Sequence, residues 1–170
     1  MKRLISLLAL IIIFISTGFA QKFAYVDTEY ILSRIPTYKA AQDQLDKIAS
    51  QYQTEIEEKY KELDKLFQDF QTEKVLLTEE MKRKREDEII ERERVVKELQ
   101  MKYFGREGML FKKREELVKP IQDQVFNAVK EMATEGGYAI IFDAAGSANM
   151  LYTNPRYDKS DEVIQKLGYN

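Results

Sequence analysis

The chain has no cysteine and no histidine, and it carries only seven glycines and three prolines among 170 residues. Without cysteine there is no disulfide framework and no thiol for a lipid anchor. Without histidine as well, the usual zinc, haem and thiol chemistries lose their ligands, so no metal and no cofactor is expected. Asp27 and Asp143 each end a strand-like run. A carboxylate pair could serve acid–base or metal work, but no third ligand or nucleophile stands at a recognisable spacing, and an aspartate after a strand is ordinarily a turn or cap residue. The expectation is therefore no catalytic residue and no enzyme.

The first twenty residues, MKRLISLLALIIIFISTGFA, place Lys2 and Arg3 before an apolar core from Leu4 to Ile15 and end on the small residues Gly18 and Ala20. That order is the pattern of a secretory signal cleaved after Ala20, and the apolar run is short for a membrane span of about 20 residues. Removing Lys2 and Arg3 from the 27 basic residues leaves 25 against 29 acidic ones, a net charge of −4. Such a balance gives no global case for nucleic acid as a partner. A third of all residues are charged while apolar runs persist, which points to a helical or coiled-coil architecture rather than disorder.

Beyond residue 20 the text is of two kinds. Short β-branched and aromatic runs lie at the ends: KFAYVD at 22–27, YAIIFDA at 138–144 and NMLYTN at 149–154. Between them, from about Tyr38 to Glu135, a charged and periodic segment runs with almost no glycine or proline. Tyr38, Ala41, Leu45, Ile48 and Tyr52 alternate at threes and fours, and Ile56, Tyr60, Leu63, Phe67 and Phe70 continue with one extra residue of drift. That is a coiled-coil seam with a stutter. Thr78 followed by Glu79 and Glu80 reads as an N-cap with first-turn acids. A second helix is then expected to run unbroken through Ile89, Val96, Leu99, Tyr103, Leu110 and Leu117, with a kink or break at Pro120. The fold expected is α+β: a small β body of three strands from residues 21–37 and 136–170, and a long antiparallel coiled-coil hairpin from 38–135 with its tip near 74–82. A short terminal helix is expected at 160–167, ending at Gly168. Three short strands bury little alone, so oligomerisation through the body is expected, with Phe23, Tyr25, Ile140, Phe142 and Leu151 as the residues that join copies.

Two stretches of the arm carry candidate function. Phe104, Phe111, Val118, Val125 and Met132 form a second apolar stripe beside the seam. The lower three suit packing in the body, whereas Phe104 and Phe111 suit exposure, and with Phe67, Phe70, Met101 and Met109 they are the candidate binding surface. Gly105 and Gly108 each cost roughly 1 kcal/mol of helix stability relative to alanine. Taken with Tyr103 at heptad position a, they fall on the outer face, where together with Pro120 they would loosen the arm. Lys82, Arg83, Lys84 and Arg85 are the densest basic cluster, near the tip; acids on both sides suit a solvated face, and an anionic membrane surface is the sharper alternative.

In order along the chain, the signal, KFAYVD followed by TEYILSRIP, the charged hairpin, LVKPIQDQVFNAVKEMATEGGYAIIFDA, NMLYTN and a short terminal helix resemble the Skp/OmpH family of periplasmic chaperones over essentially the whole mature sequence. The resemblance implies a homotrimer whose strands build a β-barrel, with three helical hairpins around a cavity. It implies an ATP-independent holdase that shelters unfolded outer-membrane β-barrel proteins in the periplasm, with lipopolysaccharide as a further partner. The best-known members are strongly basic, and this chain departs from them at −4. A structural periplasmic coiled coil and an envelope adaptor docking through its tip are the other readings of the same hairpin.

Overall fold

A computed structural model describes residues 21–146 and 150–169; the signal segment lies outside the described residues. The elements in order are β1 (Lys22–Val26), α1 (Thr28–Ser33), α2 (Pro36–Glu73), α3 (Glu79–Phe104), α4 (Met109–Gly136), β2 (Tyr138–Asp143), a 3-10 turn (Pro155–Tyr157) and α5 (Ser160–Lys166). The chain divides into two compact units, one of the residues up to Arg34 with those from Val125 onward, the other of Ile35–Gln124.

In the first unit β1 and β2 pair in parallel, with Phe23 beside Ile140, Ala24 beside Ile141 and Tyr25 beside Phe142. Alternation along the pleat sends Ala24 and Val26 inward, where both are buried, and leaves Phe23, Ile140 and Phe142 exposed on the other face. Asp27 ends β1 and caps α1, its Oδ1 accepting from the Tyr30 amide at 2.9 Å. Asp143 ends β2 and turns the same corner from the other strand: its carboxylate accepts from Thr28 N at 3.1 Å and from Thr28 Oγ1 at 2.7 Å. Both aspartates are thus the turn and cap residues their positions suggested. Ser160 Oγ accepts from Asp27 N at 2.9 Å and donates to Asp158 Oδ1 at 2.6 Å, which ties the start of α5 to the end of β1. Helices α1 and α5 pack together, and Ile31, Val163, Ile164 and Met132 are buried.

The expected third strand does not form. Residues 150–154 have no strand pairing, and Leu151 is 98% exposed; Asn149 lies outside the described residues. The outer edge of β1 is taken instead by the segment just beyond, where Lys159 N donates to Tyr25 O at 2.9 Å. Among the described residues the other edge of β2 pairs with no strand, and residues 150–154 do not take it.

The second unit is the helical hairpin. Pro36 starts α2 at a position where its missing amide costs nothing, and the helix runs 38 residues to Glu73, about 57 Å at 1.5 Å per residue. Thr78 caps α3 through its hydroxyl, which accepts from Met81 N at 3.3 Å. Ala41, Leu45, Ile56 and Phe70 of α2 and Val96 and Tyr103 of α3 are buried. Along the outer surface Lys and Glu pair at i,i+3 or i,i+4, as in Lys59–Glu62 at 2.9 Å, Lys97–Glu93 at 2.6 Å and Lys113–Glu116 at 2.7 Å. Each such pair contributes a few tenths of a kcal/mol, so the coat keeps the arm soluble and modestly helical while apolar burial holds it closed.

Two further expectations about the return strand are corrected. It does not run as one helix: α3 stops at Phe104 and α4 begins at Met109. At Pro120, where a kink or break was expected, the helix is not broken: α4 continues through it. Pro120 is exposed, where the carbonyl deprived of its donor can be met by water. Ile31→Ala should cost about 2–5 kcal/mol, since the side chain is fully enclosed, whereas Val75→Ala in the exposed turn should stay within about 0.5 kcal/mol. Urea unfolding of the two variants checks this, and equal effects would contradict the assigned core.

Candidate functional site

Three surfaces collect the candidate residues. The first is the open face of the sheet. Phe23, Ile140 and Phe142 are exposed and Tyr25 is half-buried; Phe23, Tyr25, Phe142, Tyr138, Tyr152 and Tyr157 help line a cavity of about 590 Å³. Leu151, the fifth residue expected to join copies, stands out from the segment beside it. Two strands and a projecting loop thus carry an apolar area larger than scattered surface residues produce.

The second surface lies on the arm at the interruption between α3 and α4. Gly105 closes α3, its amide donating to Met101 O at 2.8 Å, and Gly108 N donates back to Gly105 O at 2.9 Å before Lys112 N takes up Gly108 O at 3.1 Å. Neither glycine sits on an outer face as the heptad assignment placed it: Gly108 is buried and Gly105 half-buried. Neither has a positive φ; close approach is what requires them. A Cβ on Gly105 would overlap the carbonyl of Met101, and one on Gly108 would come within 2.7 Å of Tyr103 O and 2.9 Å of Gly105 N.

Around this turn the aromatic rings order themselves. Tyr52 of α2 stacks on Tyr103 with centroids 3.9 Å apart and planes 4° from parallel, and Phe104 meets the Tyr52 ring edge-on at 6.3 Å. The Tyr103 hydroxyl donates to Glu55 Oε2 at 2.7 Å. That hydrogen bond to a carboxylate, with burial and the Glu55 charge adding to it, raises the Tyr103 phenol above its ordinary range. Met101, Phe104, Met109 and Phe111 surround the turn and are exposed, Phe104 at 40% and Phe111 at 47%. Phe67, further out, is also exposed; Phe70 is not, and belongs to the hairpin seam, with Lys74 Nζ 5.6 Å from its ring centre. As an open binding residue Phe70 is therefore withdrawn.

The third surface is the tip. Val75 and Leu76, which the sequence reading passed over, are 89% and 87% exposed in the turn. Behind them the basic cluster is largely answered by local acids: Lys82 by Glu79 at 2.7 Å, Lys84 by Glu80 at 3.0 Å, and Arg85 by Glu88 at 3.1 Å and Glu73 at 3.8 Å. Among the described residues no cluster of acidic side chains could hold a metal, and no helix is long and apolar enough to cross a membrane.

A small parallel sheet and a long antiparallel helical hairpin, each with exposed apolar side chains, define an α+β protein. The profile of the family described as outer membrane protein (OmpH-like) matches residues 22–167, and the chain belongs to that family. The solved structure of a candidate outer membrane chaperone (OmpH-like) from Caulobacter crescentus CB15 shares the fold, with a TM-score of 0.66 at 12% identity over 86% of this chain and 83% of that one. No curated protein matches.

Because the folded phenol of Tyr103 is raised, its hydrogen bond stabilises the arm fully below the ordinary phenol value of about 10 and is lost as pH rises through the higher folded value. The stability difference between the native chain and Tyr103→Phe should hold through pH 9 and shrink above it in urea titrations. A difference that stays constant to pH 11 would contradict the assignment.

Proposed function

We propose that this chain is an ATP-independent holdase chaperone of the periplasm that shelters unfolded outer-membrane β-barrel proteins among the arms of a homotrimer. The observation that carries the reading is the set of exposed methionine and phenylalanine side chains, Met101, Phe104, Met109 and Phe111, gathered where the arm's helix is interrupted. Flexible thioethers and aromatic rings without a preformed pocket suit partners of varied sequence, each held by weak and reversible burial. The ion-paired outer coat, near neutral in sum, leaves apolar contact as the main source of affinity.

Assembly follows from the sheet. Exposed Phe23, Ile140 and Phe142 need covering, β2 has an outer edge, and residues 150–154 join no strand among the described residues. Copies joined through these parts would supply the missing strand in trans and bring three arms around one space. An anionic membrane or lipopolysaccharide is the weaker partner, because Lys82, Lys84 and Arg85 already face carboxylates. Exposed Val75 and Leu76 favour a second reading, an envelope adaptor that docks through its tip.

Mixing the protein with an unfolded outer-membrane β-barrel protein should suppress its aggregation at one trimer per client, and Phe104→Ser with Phe111→Ser should weaken the suppression about tenfold, the loss expected for removing two aromatic contacts of 0.5–1.5 kcal/mol each. Suppression that is absent, or that is lost only on Val75→Ser with Leu76→Ser, would remove the arm surface from the function. Equilibrium sedimentation should give a trimer; a monomer would remove the enclosed space.

A further inference from the structure

Two-electron oxidants find few targets in this chain. Cysteine, histidine and tryptophan are absent, which leaves the six methionines as the side chains that peroxides attack first. Met1 lies in the first twenty residues, and the other five stand in different surroundings. Met132 is 2% exposed, Met150 is half-buried at the cavity lined by Phe23 and Tyr25, and Met81 is exposed in the first turn of α3 near the tip. Met101 and Met109 are exposed as well, at 72% and 38%, and they stand one on each side of the turn between α3 and α4.

The backbone that presents both sulfurs is fixed by its own contacts. Met101 O accepts from Gly105 N at 2.8 Å, and a Cβ on Gly105 would overlap that same carbonyl. Met109 opens α4 directly after Gly108, whose own Cβ position is closed by Tyr103 O. Phe104 follows Met101 by three residues and so shares its face of α3, and Phe111 follows Met109 by two; both rings are exposed. The two thioethers and the two rings thus occupy one exposed apolar stretch of the arm. Leucine would supply the same apolar area. A thioether adds one property: oxygen transfer makes it polar, and a reductase makes it apolar again.

We propose that Met101 and Met109 form a reversible oxidation site that sets how apolar this surface is. The sulfur lone pair attacks one oxygen of a peroxide, an S–O bond forms and the O–O bond breaks. Sulfur gives up two electrons, and the departing oxygen takes the proton of the attacked one and leaves as water. A methionine sulfoxide reductase reverses the step at the expense of a dithiol, which becomes a disulfide while the oxygen leaves as water. The sulfoxide is uncharged but strongly dipolar, so burying it against an apolar partner requires a hydrogen-bond donor that the rings of Phe104 and Phe111 do not supply. The consequence for capture rests on the holdase reading: oxidised arms release unfolded chains that reduced arms hold.

Hydrogen peroxide added to the full chain, followed by peptide mass spectrometry at timed intervals, reads the site whether or not the arm captures clients. Met101 and Met109 should form sulfoxide about tenfold faster than Met132, which must wait for local opening. Equal rates at the three would overturn the proposal. Retention on a hydrophobic-interaction column should fall on oxidation and return after treatment with a methionine sulfoxide reductase and a dithiol. The fall should be as large in Met81→Leu with Met150→Leu as in the native chain, and far smaller in Met101→Leu with Met109→Leu, whose side chains keep their apolar volume. Equal falls in the two variants, or the reverse order, would overturn it. In the aggregation assay the oxidised native protein should be about tenfold less effective than the reduced one, and the variant with leucine at 101 and 109 should be indifferent to peroxide. Unchanged suppression with both methionines fully converted would overturn the effect on capture. Suppression absent from the reduced protein would contradict the holdase reading alone, with the rates and the retention still deciding the site.

Discussion

Parallel pairing of β1 with β2 is the constraint on which the rest of this chain depends. Two parallel strands cannot be joined by a tight turn, so the chain must leave the end of β1 and return to the start of β2 by a crossover. In most α/β proteins that crossover is one helix lying on the sheet; here it is residues 27–137, with four helices of which α2 and α3 form the antiparallel hairpin. The corner is fastened on both strands at once, by Asp27 capping α1 and Asp143 taking Thr28. Among the described residues the sheet has only two strands, which leaves one face and one edge uncovered.

The arm answers a different physical problem. A hairpin of this length must be soluble outside, closed inside, and still offer apolar surface somewhere if it is to hold an unfolded chain. Local Lys–Glu pairs meet the first need at little energetic gain, and Leu45, Ile56, Phe70, Val96 and Tyr103 meet the second. The third is met by Phe104 and Phe111, exposed one on each side of the four-residue turn, while Val118, Val125 and Met132 further along the same stripe are buried. The glycines are then needed for close backbone approach, and their cost in helix propensity is offset by aromatic stacking and one hydrogen bond to a carboxylate.

Much of this was legible in the sequence, and the misses have physical causes. The α+β class, the hairpin, the Thr78 cap and the split of the second stripe at Phe111 follow from periodicity and turn chemistry, which are local. The interruption at Gly105–Gly108 was hidden because Tyr103, Leu110 and Leu117 keep a spacing of seven across it, so the pattern alone read as one helix with two poor residues on its outside. Pro120 drew the expected break to itself, yet on an exposed face a helix can pass a proline. Phe70 looked like its neighbour Phe67, and only the crossing of α2 and α3 near the tip tells the buried ring from the exposed one. The run NMLYTN has strand composition, but composition cannot say whether an edge is vacant, and that question involves other copies of the chain.

The account turns on which side of the arm meets an unfolded chain, and site-specific photo-crosslinking reads this directly. A photoreactive side chain is placed singly at Phe104, Phe111, Val118 and Val75, and each variant is irradiated with an unfolded outer-membrane β-barrel protein. The account predicts adducts from 104 and 111, and none above background from 118 or 75. Adducts mainly from the tip position, or an equal yield from 104 and 118, would contradict it.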